Sequence, residues 1–153
     1  MLQGLLPSIL DRLIDPDSMG TAARRGYSVE QMGKAVQADL ERLFNTHSND
    51  SVSASRYRLL SQVLGYGLPD LTTLTRLSTK DTEVICRMME KKILQYEPRL
   101  KNVRVSRIST NDDDPLRIQL QMRAVLAMEP APDMSFVTIL DLSTGRFTRG
   151  GQK

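Results

Sequence analysis

Glu97 and Arg99 are the residues whose types and spacing best suit chemistry in this sequence. They flank Pro98, whose ring fixes its own φ and keeps the preceding residue out of the α region. A helix that runs towards this motif should therefore end near Tyr96 or Glu97. In an extended segment, side chains two residues apart point the same way, so a carboxylate and a guanidinium share one face. A carboxylate paired in this way is a poor proton donor, and we interpret the motif as a rigid charged corner.

The sequence is compatible with two roles for this corner. Glu97 and Arg99 could pair with each other or with helix ends, and merely fix the angle between two elements of the domain. They could instead face a partner protein and form part of an interface.

The remaining reactive side chains predict no catalytic or metal site. His47 is the single histidine and lies in a polar stretch, residues 45–55, where an exposed loop is expected. Cys86 is the single cysteine, so it cannot form an intramolecular disulfide; we predict a buried residue in a reduced, cytoplasmic protein. Asp112, Asp113 and Asp114 form a turn that lacks the ligand spacing of a calcium loop. We expect no catalytic residue, no metal and no cofactor.

Charge and composition indicate an ordinary globular domain. The 153 residues carry a net charge of +3 and are 40% hydrophobic, which suits one domain with a real core. Residues 1–77 hold 8 basic and 8 acidic side chains, whereas residues 78–153 hold 13 and 10. Arg104, Arg117 and Arg123 lie on predicted strands and could contact nucleic acid. The sequence has no aromatic residues near them on which bases could stack, which argues against this role. Nucleic-acid binding is therefore kept only as an alternative.

Apolar periodicity predicts helices in the first part of the chain. Residues 5–14 form a short amphipathic helix, followed by a linker up to residue 26. Ser28 and Gln31 match a capping box at the start of a helix over residues 28–44, with an apolar stripe that includes Val29, Met32, Val36, Leu40, Leu43 and Phe44. A second helix covers residues 79–95. Its predicted buried side consists of Val84, Ile85, Met88, Ile93 and Leu94.

After the corner the period changes to that of strands. Residues 102–108, 116–124, 135–142 and 146–149 alternate or are bounded by turns. Leu116 is expected on the buried face of the second strand. Helices followed by an antiparallel sheet of three to four strands make an α+β fold. We expect an arm over residues 1–26, a single α+β domain over 27–149 and a frayed tail over 150–153.

Several stretches together resemble one protein family. They are residues 7–13 (PSILDRL), 39–46 (DLERLFNT), 63–71 (VLGYGLPDL), 96–100 (YEPRL) and 138–145 (TILDLSTG). Their order and spacing are similar to the lysozyme-like baseplate wedge family of contractile phage tails, and especially to its version in bacterial type VI secretion systems. The His-Ser-Asn-Asp stretch after Thr46 departs from the pattern, where a basic residue is expected first.

The resemblance implies structural work in a cytoplasmic baseplate. Its expected partners are the wedge proteins TssF and TssG, the sheath proteins TssB and TssC, and TssK, with no nucleic acid and no membrane insertion. Glu97, Pro98 and Arg99 would contact the wedge core. Arg146 and Phe147, in the hairpin over residues 135–149, would contribute to sheath attachment. Because the family is called lysozyme-like, a peptidoglycan-cleaving enzyme is the alternative. A glycosidase site needs two carboxyl groups on either side of the sugar, and aromatic side chains often stack on it; neither feature is apparent in the sequence.

Overall fold

The structure is a computed structural model that describes residues 13, 27–48, 65–71, 79–108, 116–127 and 131–150. The helices whose bounds are described come first, α1 (Val29–Phe44) and α2 (Thr79–Tyr96). Four strands follow: β1 (Leu100–Ile108), β2 (Arg117–Leu126), β3 (Asp133–Asp141) and β4 (Arg146–Arg149). The predicted α+β order, with helices before an antiparallel sheet, is confirmed. Of the predicted helix over residues 5–14, the structure describes Leu13 alone, which is helical and 78% exposed although it belongs to the predicted apolar stripe. The aspartate turn lies outside the described residues.

Helix α1 begins with the capping box that the sequence predicts. The Gln31 side-chain oxygen accepts the main-chain N–H of Ser28 at 2.9 Å, and the Ser28 hydroxyl accepts that of Gln31 at 3.2 Å. These two bonds satisfy main-chain donors that the first turn of a helix leaves unpaired. The apolar stripe predicted for α1 is buried, with one exception. Val29, at the first position of the helix, is 44% exposed.

Helix α2 buries only part of the predicted stripe: Ile85 and Ile93 are buried as expected. The buried side chains are those of Thr82, Ile85, Cys86, Met89 and Ile93. The prediction was wrong for Val84 and Leu94, which are 63% and 53% exposed, and Met88 is half-buried. The buried set follows the i, i+3, i+4, i+7 rule from Thr82. The burial of Cys86 is as predicted, whereas Thr82 and Met89 were not assigned to this side.

The sheet is a four-stranded antiparallel meander in the order β1-β2-β3-β4. Strand β2 alternates buried and exposed side chains, so one face carries Ile118, Leu120, Met122, Ala124 and Leu126 into the core. Leu116 precedes the strand and is 42% exposed, contrary to the expectation. The pairing of β1 with β2 shifts between Lys101 and Arg104, where Asn102 adopts a φ of 52°. Such a bulge bends the strand and interrupts its ladder.

Packing divides the chain into two compact units, residues 1–39 and residues 40–153. The second contains the end of α1, all of α2 and the whole sheet. The arm, domain and tail limits expected from the sequence stay a prediction. Within the described ranges, no helix combines the length and apolar character that crossing a membrane requires.

Candidate partner-binding sites

The charged corner forms where α2 ends and β1 begins. The main-chain N–H of Glu97 donates to Ile93 at 2.7 Å, which completes the last helical bond. The N–H of Leu100 then donates to the Glu97 carbonyl at 3.1 Å and closes a tight turn around Pro98. Helix α2 therefore ends at Tyr96, as the proline predicts, and the chain enters the sheet at Leu100.

Inside this turn Glu97 and Arg99 form a two-point ion pair. Arg99 Nε lies 2.6 Å from Glu97 Oε1, and Arg99 Nη2 lies 2.5 Å from Oε2. The Glu97 side chain is only 5% exposed and that of Arg99 is 22% exposed. Such fork-to-fork pairs combine charge with fixed geometry. Both carboxylate oxygens of Glu97 therefore accept hydrogen bonds from Arg99.

Neighbouring segments fix the corner from both sides. The carbonyl of Arg99 accepts the N–H of Ala127 at 2.8 Å, which ties the turn to the end of β2. On the helical side, Tyr96 meets Tyr66 edge to face with ring centroids 5.2 Å apart. The Lys92 ammonium donates to the Gly65 carbonyl at 2.7 Å. The corner is thus rigid, and Pro98 at its tip is exposed.

The segment that carries Tyr66 packs closely on the chain after α1. Leu68 donates its N–H to Thr46 and accepts that of Ser48, at 2.9 and 2.8 Å. Gly67 has a φ of 103°, and a Cβ there would lie 2.1 Å from the Thr46 carbonyl oxygen. A glycine is therefore required both for the backbone conformation and for the close approach.

The two residues of β4 that were predicted to bind a partner, Arg146 and Phe147, differ in exposure. Arg146 is exposed, but Phe147 is 4% exposed and packs against Phe44 with ring centroids 5.3 Å apart. Phe147 therefore contributes its side chain to the core of this unit. Its role in partner binding, like those of Glu97, Pro98, Arg99 and Arg146, stays a prediction.

Asn45 covers the outer edge of β4, a role that the sequence did not reveal. Its side-chain oxygen accepts the Phe147 N–H at 2.9 Å, and its amide nitrogen donates to the Phe147 carbonyl at 3.0 Å. An asparagine side chain here replaces the neighbouring strand that an edge lacks. Glu41 and Arg149 form an ion pair nearby. Asn45 falls within one of the stretches that carry the family resemblance, which was the available signal.

The β3–β4 turn is organised by Asp141. Its Oδ1 accepts the Ser143 hydroxyl at 2.5 Å and the main-chain N–H groups of Ser143 and Thr144 at 2.9 and 3.3 Å. The bond from the Ser143 side chain is the main reason why the pKa of Asp141 is lowered from its ordinary value, and Arg117 contributes attraction. The turn places Arg146 at the start of β4.

The other reactive groups do not assemble into a site. Among residues 27–48, 65–71, 79–108, 116–127 and 131–150, no cluster of three or more His, Cys, Asp or Glu side chains could hold a metal ion. His47 is exposed. Burial raises the pKa of the Cys86 thiol, and the charge of Glu90 raises it further, so this thiol is a weak nucleophile at neutral pH.

Comparison with known proteins identifies a family and a similar fold. The family model described as "Baseplate wedge protein gp25" matches residues 30–131. A chain in a solved structure entitled "The baseplate complex from the type VI secretion system" has a similar fold, with a TM-score of 0.50 and 22% identity. The alignment covers 72% of this chain and 94% of that one. No curated protein matches.

Proposed function

Because this chain belongs to the baseplate wedge protein gp25 family, we propose that it is the TssE subunit of a type VI secretion system. In this role it works without catalysis in the cytoplasmic baseplate. It links the wedge proteins TssF and TssG to the first ring of the TssB–TssC sheath, with TssK as a further neighbour. The observation that carries the proposal is the family match, which includes both described helices except the first residue of α1, and strands β1 and β2.

The charged corner is the surface that we assign to the wedge. Pro98 is exposed at the tip of a turn that main-chain bonds hold on both sides. A preformed surface loses little conformational freedom when a partner binds, which favours affinity. Glu97 orients Arg99 from within, so the corner presents Pro98 and the exposed part of a fixed guanidinium.

The β3–β4 hairpin is the surface that we assign to the sheath. Its last strand lies at one margin of the sheet, and Arg146 is exposed there. Docking at a sheet edge can combine main-chain hydrogen bonds with selection by alternate side chains. Asn45 occupies the outer groups of Phe147, so a strand arriving from the sheath must displace Asn45 or pair beyond it.

Co-purification tests the wedge contact directly. The tagged chain is expressed together with TssF and TssG, and the complex is isolated at physiological salt. We expect all three proteins in one complex, and loss of the wedge proteins with Pro98→Asp, which places a charge on the exposed tip. Lys91→Asp is the matched control, because Lys91 is exposed on α2 away from the turn. A TssF–TssG complex that assembles fully without binding the wild-type chain would refute the proposal.

A further inference from the structure

The opposite margin of the sheet, β1, is flanked by a groove. A cavity of about 600 Å³ lies between α2 and β1. Its lining includes Cys86 and Val105 together with the charged residues Glu83, Arg87, Glu90 and Arg107. Val105 and Cys86 are buried, while Arg107 is exposed. The groove therefore has an apolar floor and runs beside an edge strand, which is the arrangement that an added strand needs.

The main-chain groups of this edge point into the groove. The N–H of Val105 donates to Glu90 Oε1 at 2.8 Å, so it faces away from β2. Residues alternate in direction along an antiparallel strand, so the N–H and carbonyl of Arg107 face the same way. These groups of Arg107 are therefore directed away from Leu120, its partner in β2. The bulge before Arg104 limits the regular edge to residues 104–108.

Two like charges lie on the outer face beside this edge. Arg104 is directly opposite Arg123 in the pairing of β1 with β2, and both side chains are exposed. Arg123 donates to Gln121 at 3.2 Å, and within the described ranges neither guanidinium meets a carboxylate. Like charges in this position repel each other, so an external carboxylate placed between them relieves the repulsion.

Edge, groove and charge together specify one type of occupant. We propose that β1 binds an extended acidic segment of a partner protein, which adds to the sheet as a fifth strand. Alternate side chains of that segment point to opposite faces. Its acidic residues face Arg104 and Arg123, and its small apolar residues face Cys86 and Val105 in the groove. Its carbonyl replaces the Glu90 carboxylate at the N–H of Val105. This surface is distinct from the corner and from β4.

A synthetic peptide tests the proposal without any baseplate protein. The probe is a fluorescently labelled peptide of alternating Glu and Val, about as long as an ordinary strand, and binding is followed by anisotropy. The control peptide has Lys in place of Glu. We expect saturable binding of the acidic peptide alone. Arg104→Ala with Arg123→Ala should weaken it at least about tenfold, because charge-assisted contacts are lost. Arg146→Ala is the matched control on the last strand and should bind normally.

Two further readouts locate the peptide. Arg107→Pro removes an outward N–H and should bind more weakly than Arg107→Ala, which loses the same charge; melting curves confirm that both variants fold. Bound peptide should also slow alkylation of Cys86, the single cysteine of the chain. Equal binding of the Lys peptide, no binding of either peptide, or an effect of the Arg146 control equal to that of the Arg104–Arg123 change would each overturn the proposal. Preference for DNA over the peptide, lost in the same double variant, would do so as well.

Discussion

At the scale of single residues, Glu97 and Arg99 show how one short motif sets a structural boundary. The proline ends α2, and the ion pair then fills the turn with two opposite charges that satisfy each other. Burying a charge is costly unless a partner and hydrogen bonds accompany it, and both are present here. The motif therefore has an internal role in the fold, whatever its exposed tip contacts.

Removal of one member of this pair should be more harmful than removal of both. Arg99→Ala leaves the Glu97 carboxylate buried without its partner, and we expect a loss of about 2–4 kcal/mol in the free energy of unfolding. This loss is smaller than the loss expected for a fully buried ion pair, because the Arg99 side chain is 22% exposed to water. Urea unfolding measures the loss.

The control is the double variant Glu97→Leu with Arg99→Met, which should recover most of the lost stability because no buried charge remains. An Arg99→Ala variant as stable as the wild type would contradict the buried ion pair.

The sequence predicted this corner well because its signals are local. Proline geometry and the spacing of two opposite charges act within a few residues, so the end of the helix and the pairing follow from them. Asn45 was not assigned its role, because its partner lies 102 residues away along the chain. Nothing in the local sequence indicates which remote main-chain groups an amide will meet.

At the scale of elements, β4 is a very short strand that depends on contacts beyond its neighbour. It has four residues and pairs with β3 on one side. Asn45 bonds to its other side, and Phe44 packs on Phe147. A short protected strand is one of the ways in which proteins avoid uncontrolled pairing at a sheet edge.

Asn45→Ala should loosen β4 and expose its edge. Two hydrogen bonds are lost, and we expect a decrease of about 1–2 kcal/mol in the free energy of unfolding, since each contributes about 0.5–1.5 kcal/mol net. Hydrogen exchange at the Phe147 amide should accelerate far more than at the amides of β2. Asn45→Asp is the control that keeps the acceptor, so it should retain more protection at Phe147 than the alanine variant. Unchanged exchange in the alanine variant would argue against this edge cover.

The β3–β4 turn should make stability sensitive to acid. The pKa of Asp141 is lowered in the folded chain, chiefly by the Ser143 hydroxyl. The folded state therefore favours the carboxylate, and its contribution to stability is complete above the unfolded pKa and lost as pH falls through the folded pKa. Melting temperatures between about pH 6 and pH 2 should fall less steeply in Asp141→Asn than in the wild type.

Ser143→Ala should behave in the same way, because it removes the largest cause of the shift. Thr148→Ala, a change in the exposed part of β4 away from Asp141, serves as the comparison and should keep the wild-type slope. Parallel acid profiles for the wild type and both Asp141 and Ser143 variants would remove Asp141 from the explanation.

Element types were predictable, whereas the burial of individual positions was less so. Clean alternation in β2 and the capping box of α1 gave the correct elements and approximate ends. Helix α2 has apolar residues on more than one side, so periodicity alone could not choose the buried face. Tertiary packing buries Met89, which was not predicted, and leaves Val84 exposed.

At the scale of the whole molecule, the surfaces that we assign to partners lie on different elements. The wedge surface is the corner between α2 and β1, and the sheath surface is the hairpin of β3 and β4. Substitutions on the two surfaces should therefore be separable, provided that each variant keeps its fold.

Arg146→Glu should impair sheath assembly while leaving wedge binding intact. Arg146 is exposed, so reversing its charge should leave the melting temperature within a few degrees of the wild type. Fluorescently labelled sheath in cells reports assembly, and co-purification with TssF and TssG reports wedge binding. Pro98→Asp is the reciprocal variant, with loss of wedge binding as its first effect. Loss of both activities in Arg146→Glu, with the fold intact, would contradict two separate surfaces.

The bonds between Asn45 and Phe147 also constrain when the protein can fold during its synthesis. They join the end of the first described helix to the last strand, across 102 residues. Chains are synthesised from the N-terminus at about 5–20 residues per second. Phe147, which packs on Phe44, is therefore added several seconds after Phe44. Until β4 emerges, that ring and the outer edge of β3 are uncovered. The packing of Phe44 on Phe147 and the cover of β4 by Asn45 can therefore form only after β4 has emerged.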